Sequence, residues 1–312
     1  MKTRELGSTG LAVTPLCVGT SPLASMPNLY GYEVETDRAV ATMRHVFEGP
    51  MNFVDTSNGY GNGSSESRIG TALREIGGLP DGFVLATKVD PDPATGDFSG
   101  KRVRISVEES LERLGVDHLQ LLHLHDPERI SFSEAMAPGG AVEALVALRD
   151  EGVVDHLGVA GGPIDEMRRY VGTGVFEVVL THNRYTLLDR SAGPLLDDAA
   201  ARGVAVLNGA PYAGGMLVKG PKAQPKYGYR PGGADILSRV AAMERACSAH
   251  EVPLAAAALQ FSMRESRIAS TVVGISAPER VEQTLELARW PVPDVLWAEL
   301  EGLVPAAETW WR

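Results

Sequence analysis

Cysteine is scarce in this chain, which has only Cys17 and Cys247 among its 312 residues. They stand far apart in the sequence, so they form no disulfide framework and no CxxC metal pattern. A reducing compartment is the simplest interpretation, and we expect a cytoplasmic protein. No stretch approaches about eighteen apolar residues without a charge, and the start MKTRELGSTGLAVTP has no apolar signal core. We therefore expect a soluble protein without a membrane segment.

Basic residues are also in short supply. The chain has 29 Lys and Arg against 40 Asp and Glu, a formal net charge of -11, and no basic run long enough to reverse this locally. Such a chain repels a phosphate backbone, so nucleic acid is excluded as an expected partner. With 44% apolar residues, the chain can bury one large core or two smaller ones.

Several motifs that identify common enzymes are missing. The sequence has no HExxH metal pattern, no GxSxG nucleophile turn and no Walker loop. No GxGxxG follows the first predicted strand, so the fingerprint of an open Rossmann sheet is also missing.

Short runs rich in Val, Ile and Leu recur along the whole chain, and each suits a strand buried on both faces. The runs are PLCVGTS, MNFVDTS, FVLATKV, LQLLHLH, VVDHLGVA, EVVLTHN, VAVLNGA and STVVGI.

Between most of these runs the apolar spacing becomes helical. The clearest stripes are Ala39, Val40, Met43, Val46 and Phe47; Ile69, Ala72, Leu73 and Ile76; Val103, Val107, Leu111 and Leu114; and Ala141, Val142, Leu145 and Leu148, the last ended by Gly152. Eight βα units without a dividing linker predict a (β/α)8 TIM barrel of the α/β class, as one domain over 1–312.

Two segments fall outside this alternation. The opening RELGSTGLAVTPL predicts a β-hairpin that caps the barrel floor, with a loose terminus as the alternative. Residues 214–234, GGMLVKGPKAQPKYGYRPGGA, are too polar and broken for a helix. Because they follow the seventh strand, they are either a lid or pocket wall, or a disordered insertion.

Polar residues end the second, third and fourth predicted strands, as Asp55, Lys88 and His125, and Tyr60 follows the second. If their strand faces point inward, these groups converge at the catalytic mouth of the barrel. A buried Lys88–Asp55 pair would favour the phenolate of Tyr60, making it a general acid and base. His125, as a neutral donor or relay, would orient the substrate oxygen.

Each of these residues also has a purely structural interpretation. The pair can be a core ion pair, the tyrosine a turn aromatic and the histidine a core residue. His123 lies two residues before His125, and we expect it deeper in the barrel in a hydrogen-bonded core role.

At these residues the chain resembles the aldo-keto reductases. The segments that carry the resemblance are FVDTSNGYGNGSSESRIGTAL, ATKV and LERLGVDHLQLLHLHDP. The resemblance implies a catalytic set of Asp55, Tyr60, Lys88 and His125. It also implies NAD or NADP bound across the barrel mouth, and direct hydride transfer between the nicotinamide ring and a substrate carbon.

The cofactor positions implied by the resemblance are Gly19, Thr20, Asp55, Asn183, Gly209, Tyr212, Gly214, Gly215, Gly274, Ser276, Arg280 and Gln283. Some depart from the common family pattern. Ala160 and Gly161 replace a Ser-Asn pair, with His182 or Asn183 as polar substitutes nearby. Gly209 replaces a stacking tyrosine, and Tyr212 would compensate for it.

Gly274 stands where many NADP-preferring members have a lysine. A 2′-phosphate needs cationic donors, and Arg280 alone supplies fewer than usual. Both NAD and NADP stay open, with an inclination to NAD.

The variants HDPE, RYTLL and APYAGGML resemble the branch of aldose 1-dehydrogenases of the L-fucose and D-threo-aldose type and of pyridoxal dehydrogenases. This implies oxidation of an aldose at C1 to the lactone, or the reverse carbonyl reduction. The alternatives are a general aldehyde, ketone or pyridoxal enzyme, and a redox-sensing regulatory subunit. Trp310 and Trp311 line the pocket, or else pack on a subunit or on outer helices; the sequence does not give the oligomeric state.

Overall fold

A closed barrel of eight parallel strands forms the centre of the computed structural model, which describes residues 1–228 and 230–310. The barrel strands are β3 (Leu16–Gly19), β4 (Phe53–Asp55), β5 (Val84–Val89), β6 (Leu119–His125), β7 (Val154–Gly161), β8 (Val178–His182), β9 (Ala205–Gly209) and β12 (Ile268–Gly274). Around the barrel they follow the order β12-β3-β4-β5-β6-β7-β8-β9. Each coincides with one of the predicted apolar runs, so the predicted fold is confirmed.

Helices surround the barrel, and the four predicted apolar stripes lie in α2, α3, α4 and α6. The helices are α1 (Pro27–Tyr30), α2 (Thr36–Phe47), α3 (Ser64–Ile76), α4 (Gly100–Leu114), α5 (Phe132–Ala135), α6 (Ala141–Asp150), α7 (Ile164–Gly172), α8 (Gly193–Arg202), α9 (Met216–Ala223), α10 (Ala234–Ala249), α11 (Leu254–Arg264), α12 (Pro278–Arg289) and α13 (Asp294–Glu301). Gly152 follows α6 with a φ of 76°, the left-handed conformation predicted for a residue that ends a helix. Within the described residues, no helix has the length and apolar character needed to cross a bilayer.

The opening segment forms the predicted hairpin. Strands β1 (Arg4–Glu5) and β2 (Ala12–Val13) pair antiparallel. Leu6 is buried in the inner core, and Arg4 Nη1 donates to the carbonyl of Ile268 at the start of β12, 3.1 Å away. The hairpin therefore covers the barrel at the N-terminal ends of its strands.

Residues 214–234 contain a helix, so the prediction that this segment is too broken for one is wrong. Helix α9 is interrupted at Gly220, where φ is 77°, and the short strands β10 (Lys226–Tyr227) and β11 (Arg230–Pro231) follow it. Met216 and Leu217 are fully buried in a cluster formed with α10 and α11. This burial stabilises a helical turn that the Gly and Pro content of the segment opposes.

Side chains alternate between the two faces of a strand, and this alternation determines which polar residues point into the barrel. Phe53, Ala86 and Leu121 belong to the inner core of the barrel. Side chains two residues further along each strand point to the same side. Asp55, Lys88 and His123 therefore lie inside the barrel toward its C-terminal end.

Gly70 sets the approach of α3 to α4. A Cβ at this position would lie 2.0 Å from the carbonyl oxygen of Arg113. We expect Gly70→Ala to lower the free energy of unfolding by about 1–3 kcal/mol, because the helices must move apart. Urea unfolding measures this, with Gly172→Ala as the control, since a Cβ there meets nothing within 4 Å. Equal stability of the two variants would contradict this packing.

Candidate active site

A buried ion pair lies at the C-terminal ends of β4 and β5. Lys88 Nζ donates to Asp55 Oδ1 and to the carbonyl oxygen of Thr56, both at 2.6 Å. The two charged side chains are 1% and 4% exposed, so each depends on the other for charge compensation.

Tyr60 completes this cluster. Lys88 Nζ donates to Tyr60 Oη at 3.2 Å. Burial, and then the Asp55 carboxylate, raise the pKa of Tyr60 well above its usual value. The expected lowering of the Tyr60 pKa is wrong for this geometry, because burial and Asp55 together outweigh the contact with Lys88. Tyr60 therefore holds its proton, as a general acid must before it acts.

His125 is bound by a carboxylate that the sequence analysis did not single out. Its Nδ1 lies 2.8 Å from Asp90 Oδ1 and 3.1 Å from Ser57 Oγ. Burial opposes ionisation of Asp90, but His125, Ser57 and the backbone N–H of Gly59 outweigh it and lower the pKa of Asp90. Asp90 stands two residues after Lys88, so the same strand alternation could have identified it.

The surroundings of His125 do not fit the predicted neutral donor. Burial lowers its pKa, but the carboxylates of Asp90 and Asp126 raise it overall. An ionised Asp90 requires a proton on Nδ1, so a neutral imidazole would present only an acceptor at Nε2. The predicted neutral donor does not fit this geometry.

His123 is fully buried inside the barrel, as expected. The prediction that His123 is hydrogen-bonded is wrong, because neither ring nitrogen has a partner within residues 1–228 and 230–310. A Cβ on Gly158 would come within 2.2 Å of Nδ1, so the imidazole occupies space that the glycine leaves free. Burial, and then the nearby Lys88, lower the pKa of His123 well below its usual value.

A network of polar side chains holds the loop that carries Tyr60. Arg102 donates to both carboxylate oxygens of Glu109 at 2.9 Å and to Asn58 Oδ1 at 3.2 Å. Asn58 Nδ2 donates to Glu109 Oε2 at 3.0 Å. Because these partners lie on α4, outside the strand ends, the search for polar strand ends missed them.

Polar atoms without partners lie where the resemblance implies the nicotinamide. Asn183 Oδ1 and Asp55 Oδ2 are buried and have no partner among the described residues. Asn183 Nδ2 lies 3.2 Å from His182 Nδ1, and burial lowers the pKa of His182 to about 4. A ligand with amide and hydroxyl donors would satisfy both free oxygens, so this end fits a nicotinamide riboside.

The far end of the implied cofactor site is a helix start. No side chain of the described residues caps α12 at Ala277, so the backbone N–H groups of its first turn can donate to oxygens of a bound dinucleotide. Ser276 is half-buried just before it, while Arg280 and Gln283 are exposed and joined by a 2.9 Å hydrogen bond. These groups fit a dinucleotide.

Glycines open the space between the two ends. Gly209 is buried beside His182, and Gly214 and Gly215 have φ values of 71° and 91° in the loop after β9. The Tyr212 hydroxyl is buried without a partner in the part of the chain described, and burial raises its pKa despite the nearby Arg280 charge.

The other implied cofactor positions are hydrogen-bonded or closely packed within the protein. The hydroxyl of fully buried Thr20 donates to the Asp55 carbonyl oxygen at 3.0 Å, which holds the end of β4. A Cβ on Gly19 would lie 3.0 Å from Val272 Cγ1. A Cβ on Gly161 would lie 2.8 Å from Glu128 Oε2, so a side chain there would require Glu128 to move, and Ala160 is buried beside it.

Of the C-terminal tryptophan pair, the structure describes Trp310. Trp310 Nε1 donates to the carbonyl oxygen of Pro305 at 3.1 Å, and Trp311 lies outside the described residues. No group of His, Cys, Asp and Glu that could hold a metal ion occurs among the residues described.

Known proteins that resemble this chain belong to one family. The model of the aldo/keto reductase family matches residues 15–305. The chain is 33% identical to L-galactose dehydrogenase of Arabidopsis thaliana, over 90% of this chain and 86% of that protein. It is 32% identical to D-threo-aldose 1-dehydrogenase of a Pseudomonas species, over 93% and 94%. It is 29% identical to pyridoxal 4-dehydrogenase of Microbacterium luteolum, over 96% and 97%.

A solved structure supports the fold. An aldo-keto reductase from Bacillus halodurans in its holo form superimposes with a TM-score of 0.82 and 23% identity, covering 98% of this chain and 97% of that one. The family match includes all eight barrel strands, among them those that carry Asp55, Lys88 and His125. The chain therefore belongs to the aldo/keto reductase family.

Proposed function

We propose that this oxidoreductase oxidises an aldose at C1 to the lactone, or reduces the corresponding carbonyl, with a nicotinamide cofactor and with Tyr60 as general acid and base. The observation that carries the proposal is the contact of Lys88 with both Asp55 and Tyr60, at 2.6 and 3.2 Å. The similarity to two aldose dehydrogenases supports a sugar as substrate.

In the reductive direction, Tyr60 donates its proton to the carbonyl oxygen. The phenolate left behind is stabilised by Lys88, which Asp55 holds in place. In the oxidative direction, Tyr60 must first lose its proton to solvent, and the phenolate then takes the proton of the C1 hydroxyl. When bound, the nicotinamide supplies the hydride for reduction or accepts it for oxidation. His125 contacts the same oxygen and orients it.

The preferred cofactor that we propose is NAD. Gly274 has no side chain that could supply a positive charge to a 2′-phosphate. A Cβ at this position would lie 3.0 Å from Pro22 Cγ. Arg280 follows Glu279, whose carboxylate is 57% exposed although it pairs with Arg38. This negative charge at the start of α12 opposes a 2′-phosphate, while the hydroxyls of NAD tolerate it.

Turnover of a substrate panel tests the proposed function. The purified enzyme is given L-galactose, L-fucose, D-arabinose and pyridoxal, each with NAD and with NADP, and the absorbance of the reduced cofactor is followed. We expect turnover of at least one aldose. We also expect kcat/KM for NAD to be about tenfold or more above that for NADP, since the lack of one ion pair with the 2′-phosphate has about this effect.

The other outcomes are informative. Turnover of pyridoxal alone would favour the second candidate, a pyridoxal dehydrogenase, which the similarity over 96% of the chain supports. A second panel gives the enzyme simple aldehydes with NADH and with NADPH; their reduction, without turnover of any sugar, would identify a general reductase. Tight cofactor binding without turnover of any compound would contradict the proposed catalysis and favour a regulatory role.

A further inference from the structure

Asp90 contacts both halves of the candidate site. Its Oδ1 accepts from His125 Nδ1 at 2.8 Å, and its Oδ2 accepts from the Gly59 backbone N–H at 2.7 Å. Oδ2 also accepts a short hydrogen bond from Ser57 Oγ. Since Gly59 directly precedes Tyr60, one carboxylate joins the imidazole to the loop that carries the phenol.

The loop is shaped around this carboxylate. A Cβ on Gly59 would lie 2.7 Å from Asp90 Cγ, so any side chain there would displace the carboxylate. Asp90 is 5% exposed, and its carboxylate accepts hydrogen bonds from the His125 ring, the Ser57 hydroxyl and the Gly59 backbone N–H. A buried carboxylate surrounded by donors stays ionised and favours a cation beside it.

The contact at Nδ1 determines what Nε2 can do. An ionised Asp90 takes the Nδ1 proton as a hydrogen-bond donor, so neutral His125 has only a lone pair at Nε2. Nε2 becomes a donor only when the ring is protonated. A carbonyl or alkoxide oxygen accepts hydrogen bonds, so the protonated ring is the form that binds it.

Other charges also face His125. Asp126 Oδ1 lies 3.7 Å from Nε2 and reinforces the cation, and the Tyr60 ring contacts the imidazole edge to face at 5.7 Å. Lys88 opposes the cation. The remaining titratable neighbours are His123 on β6 and His182 on β8.

We propose that Asp90 is a positioning residue for the reaction, which fixes the orientation of His125 and holds the imidazole in its protonated form so that Nε2 donates to the substrate oxygen. The proposal rests on the proposed function, in which His125 contacts that oxygen.

Direct titration of the imidazole by NMR tests the proposal without any turnover. In the enzyme without added substrate, the His125 signal, assigned by its loss in His125→Gln, should titrate above the ordinary value of about 6.5. In Asp90→Asn the measured pKa should fall by about 1–3, because the opposite charge is gone. A wild-type value below about 6.5, or an unchanged value in Asp90→Asn, would overturn the proposal.

Two further variants separate charge from structure. Ser57→Ala removes a hydrogen bond to Asp90 and the 3.1 Å contact of Ser57 Oγ with His125 Nδ1, but it keeps the carboxylate, so His125 should stay protonated as in the wild type. Asp117→Asn makes the same charge change at an exposed residue near the opposite end of β6 and should change nothing. A fall in the His125 pKa in Ser57→Ala equal to that in Asp90→Asn would show a structural effect and contradict the proposal.

The pH profile of turnover provides the kinetic test. In Asp90→Asn, kcat for carbonyl reduction should decrease about tenfold for each pH unit above the new pKa, whereas the wild type stays active to higher pH. An unchanged profile would contradict the positioning role. If no sugar or carbonyl is turned over but the NMR shift occurs, the proposed function fails while the effect of Asp90 on His125 stands.

Discussion

Lys88→Met is expected to lower the free energy of unfolding by about 3–5 kcal/mol and to abolish most turnover. The variant leaves the Asp55 carboxylate, whose side chain is 4% exposed, without its cation. It also removes the donor to the Thr56 carbonyl oxygen, which lies 2.6 Å from Nζ. Urea unfolding measures the stability, and the substrate panel measures the turnover.

Two control variants show that the loss comes from the unpaired charge. Lys101→Met removes an exposed lysine on α4 and should change neither property. The double variant Lys88→Met with Asp55→Asn removes both charges, so it should regain about half or more of the lost stability but no turnover. Wild-type stability of Lys88→Met would contradict a structural role for the pair, and full turnover would contradict its catalytic role.

Tyr60→Phe is expected to lower kcat by about 10²–10⁴-fold with little change in stability. The substitution removes only the hydroxyl, which contacts Lys88 Nζ at 3.2 Å, and keeps the ring packed against His125. Cofactor binding should be retained, because the proposed role of the hydroxyl is toward the substrate oxygen. Tyr170→Phe is the matched control: it removes another buried hydroxyl, one without a partner among the described residues, and its ring packs on Phe132 and Phe176.

The barrel could be predicted from the sequence because its signals are local. Each strand is a short apolar run with a polar end. Each of the four helices shows the apolar spacing typical of a helix within its own residues. Asp55 and His125 end their strands and Lys88 is the last residue but one of β5, so parallel strands alone bring them to one rim. The helix in 214–234 escaped prediction because the burial of Met216 depends on contacts with other helices.

The electrostatics of the site could not be predicted in the same way. The protonation of Tyr60 depends on the distances of Lys88 from Asp55 and from the phenol, and spacing along the chain does not give these. The role of Asp90 depends on the rotamer that brings it to His125 Nδ1. The lack of partners around His123 depends on a glycine from the next strand.

The most direct test of the account is the rate of hydride transfer in a single turnover, followed by stopped-flow absorbance with enzyme saturated by reduced cofactor and mixed with a carbonyl substrate. We predict a slower transfer step in Tyr60→Phe, by about 10²–10⁴-fold, with wild-type cofactor affinity and with Tyr170→Phe like the wild type. A transfer rate in Tyr60→Phe close to that of the wild type would show that the proton on the substrate oxygen comes from another group.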